Sequence, residues 1–317
     1  MSALNTNKLS NEGVTKYAQE MNRNIEDKQN FFIRSIENLH FTWPIDILDI
    51  WSASGHLTFN IASYFRTKIQ KIIGIDVSEK MVQIASNNFP NIHFEVGNAY
   101  DLSLPPNSFD VVICSSVLHE LWSYFWQKNL EAYNAWIIQG LHNMHKVLKT
   151  GGYILIKDPV YPSNDSYITT IFHAKSETFS WNNIVHSNLL NRSKHFIEKF
   201  PFFQQERLTI TDNGFIAPCS YINEIIRHTS NAICDTVEHF NDELNEWYWS
   251  WNGYQWDSFI KKHPSLFKII THETRWNKHN HSTSFYQFFD LYDTNHKKIK
   301  HIPHILPTHQ FTILQKI

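Results

Sequence analysis

The chain has 317 residues, is 42% hydrophobic and 15% aromatic, and carries a formal net charge of −2 with no long run of either sign. That balance excludes an electrostatic nucleic-acid surface, and no uninterrupted apolar run reaches bilayer-spanning length. The cysteines, Cys114, Cys219 and Cys234, are too far apart for a disulfide framework or a zinc spacing, and suit a reducing compartment.

The first dozen residues are polar and lack the apolar centre of a signal peptide, so a cytoplasmic location is expected. From Val14 to Leu39 the residues Tyr17, Met21, Ile25, Phe32, Ile36 and Leu39 recur at roughly helical spacing. Trp43-Pro44 closes that region. Ile45, Ile47, Leu48 and Ile50 form the short apolar run of a buried parallel strand, with Asp49 near its end. Gly55 opens a helix whose stripe is Leu57, Ile61, Ala62 and Phe65. Ile72 to Ile75 is a second strand ending at Asp76. An acid about twenty residues past a glycine turn is placed to hold the hydroxyl pair of a ribose. The turn N–H groups and the helix start favour an anionic group nearby. The plainer role of Asp76 is to open the helix that starts at Asp-Val-Ser-Glu.

Glu79 to Asn88 reads as a helix and Ile92 to Val96 as a third strand, followed by Gly97-Asn98-Ala99. At that place Asn98 could bond an adenine amino group, or simply form a turn. Phe109 to Ser115 is a fourth strand leading into Ser116-Val117-Leu118-His119-Glu120. Imidazole as a group can take up a proton near neutral pH, which makes His119 the general-base candidate; packing or capping the next helix is its plainer role. Trp122 to Val147 reads as helical and Tyr153 to Ile156 as a fifth strand; Asp158 follows, facing the same mouth as His119 or, as its plainer role, forming a turn before Pro159.

Taken together, Leu48-Asp49-x-x-x-x-x-Gly55, Gly74-Ile75-Asp76-Val77-Ser78-x-x-Met81, Gly97-Asn98-Ala99-x-Asp101-Leu102, Phe109-Asp110-Val111-Val112 and Leu148-Lys149-x-Gly151-Gly152 resemble class I S-adenosylmethionine-dependent methyltransferases. Order and spacing agree from about residue 40 to 160. The resemblance implies an α/β fold, a doubly wound Rossmann-like sheet of seven strands, with S-adenosyl-L-methionine as cofactor. It places Asp49, Trp51, Gly55, Asp76, Val77, Met81, Asn98, Ala99 and Ser115 around that cofactor. Tyr17, from an N-terminal helical lid over residues 1–40, would reach its carboxylate or else pack. The reacting centre would lie past the fourth strand, at His119.

The departure is in the turn. The family pattern is Asp-x-Gly-x-Gly-x-Gly; here Trp51 and Ala53 stand at the first two glycines and Gly55 alone remains. Glycine there allows left-handed backbone angles and close approach, which Trp51 is not expected to imitate. Two outcomes are open: the indole points away and the cofactor fits, or the pocket is reshaped and methyl transfer is lost.

Beyond the core, 41–160, the stretch 161–272 is too long for a loop and is expected to be a mostly helical inserted cap. Asn223 to Phe240 has helical spacing at Ile226, Ile233 and Val237. The aromatic run from Trp247 to Trp256 either walls a pocket or packs the cap. Phe285 to Tyr292 and Gln310 to Lys316 are expected to be the closing antiparallel pair, returning 273–317 to the core sheet. His279, His281, His296, His301, His304 and His309 carry no zinc signature, so no metal is expected. The functional expectation is methyl transfer to an oxygen or nitrogen of a small molecule, in small-molecule biosynthesis. The alternatives are a binding or scaffolding subunit that keeps the fold, or an enzyme using the pocket for cyclisation or rearrangement. Nothing in the sequence sets the oligomeric state.

Overall fold

The structure, a computed structural model, describes residues 18, 22, 25–123, 130–160, 166–173, 178–181, 184–187, 189–199, 205–231, 250–275, 289–300 and 309–317. It divides into two units, the first made of residues 1–158, 255–273 and 310–317, the second of 159–254 and 274–309.

The first unit is built on strands β1 (Ile45–Ile50), β2 (Ile69–Asp76), β3 (His93–Val96), β4 (Phe109–Ser115), β5 (Leu148–Pro159), β11 (Phe267–Arg275) and β13 (His309–Lys316). They form a seven-stranded sheet in the order β11-β13-β5-β4-β1-β2-β3. β1 pairs parallel with both β2 and β4, β2 with β3, and β4 with β5. β13 runs the other way, since Ile317 N bonds Leu266 O at 3.1 Å while Gln315 Nε2 bonds Gly151 O at 3.0 Å. The winding reverses between β1 and β4, which leaves a crevice at the carboxyl ends of those strands. The doubly wound, Rossmann-like α/β fold is therefore present.

One face of this sheet is covered by α1 (Ile25–Asn38) and α2 (His56–Phe65). Phe32, Ile33 and Ile36 of α1, with Leu57, Ile61 and Phe65 of α2, pack on Ile47, Val111, Ile113, Tyr153, Leu155 and Ile313. Burying a side chain such as Phe32 or Ile36 completely contributes about 2 kcal/mol. Gly55 precedes α2 at φ 82, and a Cβ there would stand 2.7 Å from the Phe94 ring, so the position admits only glycine. α3 (Glu79–Asn88) starts on Ser78, whose Oγ accepts from Met81 N at 3.3 Å, and α5 (Leu130–Val147) leads into β5.

In the second unit β6 (Tyr167–Phe172), β9 (Thr209–Ile210), β10 (Gly214–Pro218) and β12 (Phe289–Tyr292) form a four-stranded sheet in the order β12-β6-β10-β9. β7 (Thr178–Trp181) and β8 (Ile184–Ser187) form a separate antiparallel pair, and α6 (Leu189–Lys199) and α7 (Cys219–Asn231) supply the helices. Over its described residues the stretch expected to be a mostly helical cap holds both helices and short strands. The alternating burial of Ile168, Thr170 and Phe172 is a two-residue period too short to stand out in the sequence.

A correction concerns the closing pair. Phe289–Tyr292 pairs with β6 in the second unit, and the partner of β13 is Phe267–Arg275. Periodicity marks a half-buried strand but does not say which sheet receives it. Helix α7 begins earlier than the expected Asn223, and residues 232–249 lie outside the described residues. Of the aromatic run, Trp251 and Trp256 are described and buried, and Trp256 Nε1 donates to Gln310 Oε1 at 2.7 Å, so these two pack interiors. No helix among the described residues is long and apolar enough to cross a membrane.

Candidate active site at the carboxyl ends of the strands

Past β1 the chain turns through Trp51 at φ 60, Ala53 at φ 47 and Gly55 at φ 82. All three lie in the left-handed region, which costs about 1–2 kcal/mol for a residue with a Cβ. The expectation that Trp51 would not imitate glycine is corrected for the angle: its φ lies where glycine is usually needed. The surroundings hold it there. Asp76 Oδ2 accepts from Ala53 N at 2.9 Å, Ser52 N donates to Ile75 O at 2.9 Å, and Gly55 N donates to Ser52 O at 2.9 Å. Backbone strain kept in place by a buried carboxylate is a mark of a functional turn.

The electrostatics of this turn follow from burial. Asp49 is 1% exposed and Asp76 6%. Asp76 Oδ1 accepts from Ser78 N at 2.9 Å, and Asp49 Oδ2 accepts from Thr58 Oγ1 at 2.6 Å. Desolvation pushes both carboxyls up to about 7, against the hydrogen bonds that favour ionisation. Among the described residues Asp49 Oδ1, Ser52 Oγ and Ser115 Oγ are buried without a hydrogen-bond partner. Unsatisfied polar atoms gathered at the end of a sheet point to a ligand that satisfies them. Lys28 of α1 and Glu120 act on the same place: burial lowers the Lys28 ammonium, and the charges of Asp49 and Glu120 oppose that. Sequence reasoning missed Lys28, although it falls on the helical stripe Ile25, Phe32, Ile36, where a lysine is out of pattern.

The chain past β4 forms a second turn. Ser116 is at φ 60 and its N–H donates to Lys157 O at 2.7 Å. Asp158, fully buried, accepts from Val117 N at 2.9 Å and Leu118 N at 2.6 Å through Oδ2. Its Oδ1 accepts from His119 N at 3.4 Å and meets His119 Nδ1 at 2.7 Å. The carboxylate anchors the first turn of α4 (Leu118–Ser123). It also makes Nδ1 the donor, which puts the imidazole lone pair on Nε2. His119 is 4% exposed, so the ring is held rather than solvated. Asp158, read from sequence as facing this mouth or forming a turn, is therefore the partner that orients His119.

The remaining candidates are placed as follows. Asn98 is exposed and its Oδ1 accepts from Tyr100 N at 3.0 Å, which is the turn role. Ala99 is buried, and its carbonyl accepts from Asn143 Nδ2 at 3.1 Å. Val77 is half-buried beside Asp76, and Met81 is buried against Ala18 and Ile84. Asn22 Nδ2 donates to Ser54 Oγ at 3.1 Å, which brings residue 22 onto the turn. Tyr17 lies outside the described residues. The structure thus gathers Asp49, Trp51, Gly55 and Asp76 in one turn, sets Val77 and Met81 just past it, and sets Ser115 and His119 at the next. No group of three or more acidic, histidine or cysteine side chains that could hold a metal is found among the described residues.

Residues 44–214 match a family model described as a methyltransferase domain. The chain belongs to that family. The resemblance to class I S-adenosylmethionine-dependent methyltransferases holds, and with it the cofactor class. An uncharacterized methyltransferase of Bacillus subtilis, YcgJ, is 24% identical over 215 residues, 63% of this chain and 77% of the relative. Its crystal structure aligns at a TM-score of 0.45 with 13% identity, covering 92% of this chain and 98% of that one. Demethylmenaquinone methyltransferase of Chlorobaculum parvum is 33% identical over 118 residues, 37% of this chain, which spans 42% of that protein's length. The N-methyltransferase NodS of Bradyrhizobium japonicum, solved with S-adenosylhomocysteine, aligns at a TM-score of 0.30 with 18% identity, over 37% of this chain and 53% of its own.

Proposed function

We propose that this methyltransferase transfers a methyl group from S-adenosylmethionine to an oxygen or nitrogen of a small molecule, in the cytoplasm. The observation that carries the reading is the turn of Trp51, Ala53 and Gly55, kept left-handed and tied to Asp76 through Ala53 N. A sequence that lost the glycines but kept their backbone has kept the shape that admits the cofactor. The donor set fits that group. Each Asp76 oxygen takes one N–H, and a carboxylate has about four acceptor positions, so capacity remains for two ribose hydroxyls. Asp49 Oδ1 and Ser115 Oγ are buried and unsatisfied at the strand ends, ready for polar groups of a ligand.

Bound there, S-adenosylmethionine supplies a methyl group on a cationic sulfonium. The chain's own part is then positional and electrostatic. Asp76 holds the ribose, with Val77, Asn98 and Ala99 beside the base and Met81 buried beneath. The acidic groups Asp49, Asp76 and Glu120 favour a cation in the same space. Ser115 and His119 face the reacting side, where Nε2 of His119 receives the proton that leaves the acceptor oxygen or nitrogen. Proximity and exclusion of water lower most of the barrier.

The test is incubation of the full chain with methyl-labelled S-adenosylmethionine and a cell extract separated by size. Label is expected in small molecules as O-methyl or N-methyl groups; label confined to protein or nucleic acid contradicts the proposal.

A further inference from the structure

Lys157, the next-to-last residue of β5 before Pro159, is 3% exposed. Neither the cofactor site nor the His119 pair uses it. Its Nζ lies 6.0 Å from the centroid of the Phe311 ring, and that ring sits 4.7 Å from Phe31 of α1. Among the described residues no hydrogen bond or ion pair reaches this ammonium. The nearby charges are Lys28 and Asp27, both on α1, the first repelling and the second attracting it. Burial and Lys28 together push the Lys157 pKa down to about 7. A buried ammonium that Asp27 attracts only at a distance, with no ion pair or hydrogen bond of its own among the described residues, is an expensive arrangement unless something else completes it.

The register says where this cation points. Lys157 pairs with Ser115, and Ile113 with Leu155, so Ser115 and Lys157 stand side by side on the sheet face that α1 covers. Ser115 Oγ is one of the buried atoms without a partner. Two adjacent donors on neighbouring strands, both unsatisfied, make a receptor for a group that only accepts hydrogen bonds. The sheet order separates it from the ribose position. Asp76 ends β2 and Lys157 stands near the end of β5, three strands away, roughly 14 Å. Lys157 therefore lies on the far side of the reacting centre, next in sequence to the Asp158 that orients His119.

Resting on the reading of the site as a methyl-transfer centre, we infer that Lys157, with Ser115 beside it, holds a carboxylate of the methyl acceptor. The substrate class is a small carboxylate-bearing molecule, its anionic end on Lys157 and its nucleophilic atom toward His119. Phe311 and Phe31 form the apolar side of that end of the site.

The experiment is calorimetry on the full chain saturated with S-adenosylhomocysteine, titrated with benzoate and with benzamide, its neutral counterpart of the same shape. Benzoate is expected to bind about tenfold more tightly than benzamide. Lys157→Met removes the preference and Lys157→Arg restores most of it, while both variants bind S-adenosylhomocysteine as the parent does. Replacing a buried unpaired cation by an apolar side chain is expected to leave the fold intact or firmer. Equal affinity for the two probes, no benzoate binding with S-adenosylhomocysteine bound, or a preference that survives Lys157→Met overturns the inference. So does a Lys157→Met variant that loses S-adenosylhomocysteine, because the lysine would then serve the cofactor. Failure of the parent to bind S-adenosylhomocysteine at all falls on the cofactor reading instead.

Discussion

The turns after β1 and β4 are built alike. In each, the first residue past the strand, Trp51 or Ser116, sits at φ 60 without being glycine. In each, the next carboxylate outward in the sheet accepts main-chain N–H groups: Asp76 from Ala53, Asp158 from Val117 and Leu118. They differ in how much of the carboxylate is used. Asp158 receives three N–H groups of one short stretch and the Nδ1–H of His119, which exhausts it. Asp76 receives one N–H from each of two segments and keeps spare capacity, and burial holds it near neutral pH. The same local device is closed on one side around the His119 ring, and on the other keeps acceptor positions unused by the main chain.

The comparison breaks most visibly at the closed side. Asp158→Asn puts an amide where helix N–H groups and the imidazole need an acceptor, and is expected to cost about 3 kcal/mol in urea unfolding and to abolish methyl transfer. A variant as stable as the parent would show that Asp158 is not the anchor of that turn. At the open side Asp76→Asn turns an amide NH2 toward one of the two N–H groups of Ala53 and Ser78 and should cost about 1–2 kcal/mol, less than at Asp158, where four donors depend on the carboxylate. The same change should weaken S-adenosylhomocysteine about a hundredfold in calorimetry. Similar stability losses at both aspartates would erase the distinction.

Protonation sharpens it further. Asp49 and Asp76 titrate at about 7 in the folded chain, above the usual carboxylate range, so the folded state holds these protons more tightly than the unfolded one. Their contribution to stability is full below about pH 4 and disappears as pH rises through about 7. A cationic ligand favours the ionised carboxyls. Affinity for S-adenosylmethionine is expected to rise roughly tenfold from pH 6 to 8, with protons released on binding. Proton uptake, measured by calorimetry in buffers of different ionisation heat, would reverse the assignment. The smallest effect is at Ala53. Ala53→Gly should raise stability by at most about 1 kcal/mol, since the left-handed angle is then adopted without strain. A destabilised variant would mean that the methyl group packs usefully there.

Much of the first unit was legible because its signals are local. The apolar run at Ile45 to Ile50, the helix stripe after Gly55 and the acid at Asp76 lie within about thirty residues of chain. The partnership of His119 with Asp158 was not legible, because the two are separated by a long helix and meet through sheet order alone. Trp51 shows the opposite limit. Its residue type argued against a glycine-like turn, yet tertiary bonds from Asp76 and Ile75 hold the strained angle in place. Phe289–Tyr292 had the right period and the wrong sheet, since alternation reports burial and not partner. Lys28 and Lys157 were passed over because a lysine in an apolar pattern is usually exposed, and only the register of β4 with β5 puts Lys157 beside Ser115.

Everything above depends on the strained turn being a cradle and not a relic. Titration of the unmodified protein with S-adenosylhomocysteine in a calorimeter tests this most directly. The account predicts saturable one-to-one binding with a dissociation constant in the micromolar range, on the order of −8 kcal/mol. Absence of heat at millimolar ligand, in protein shown to be folded, would contradict it.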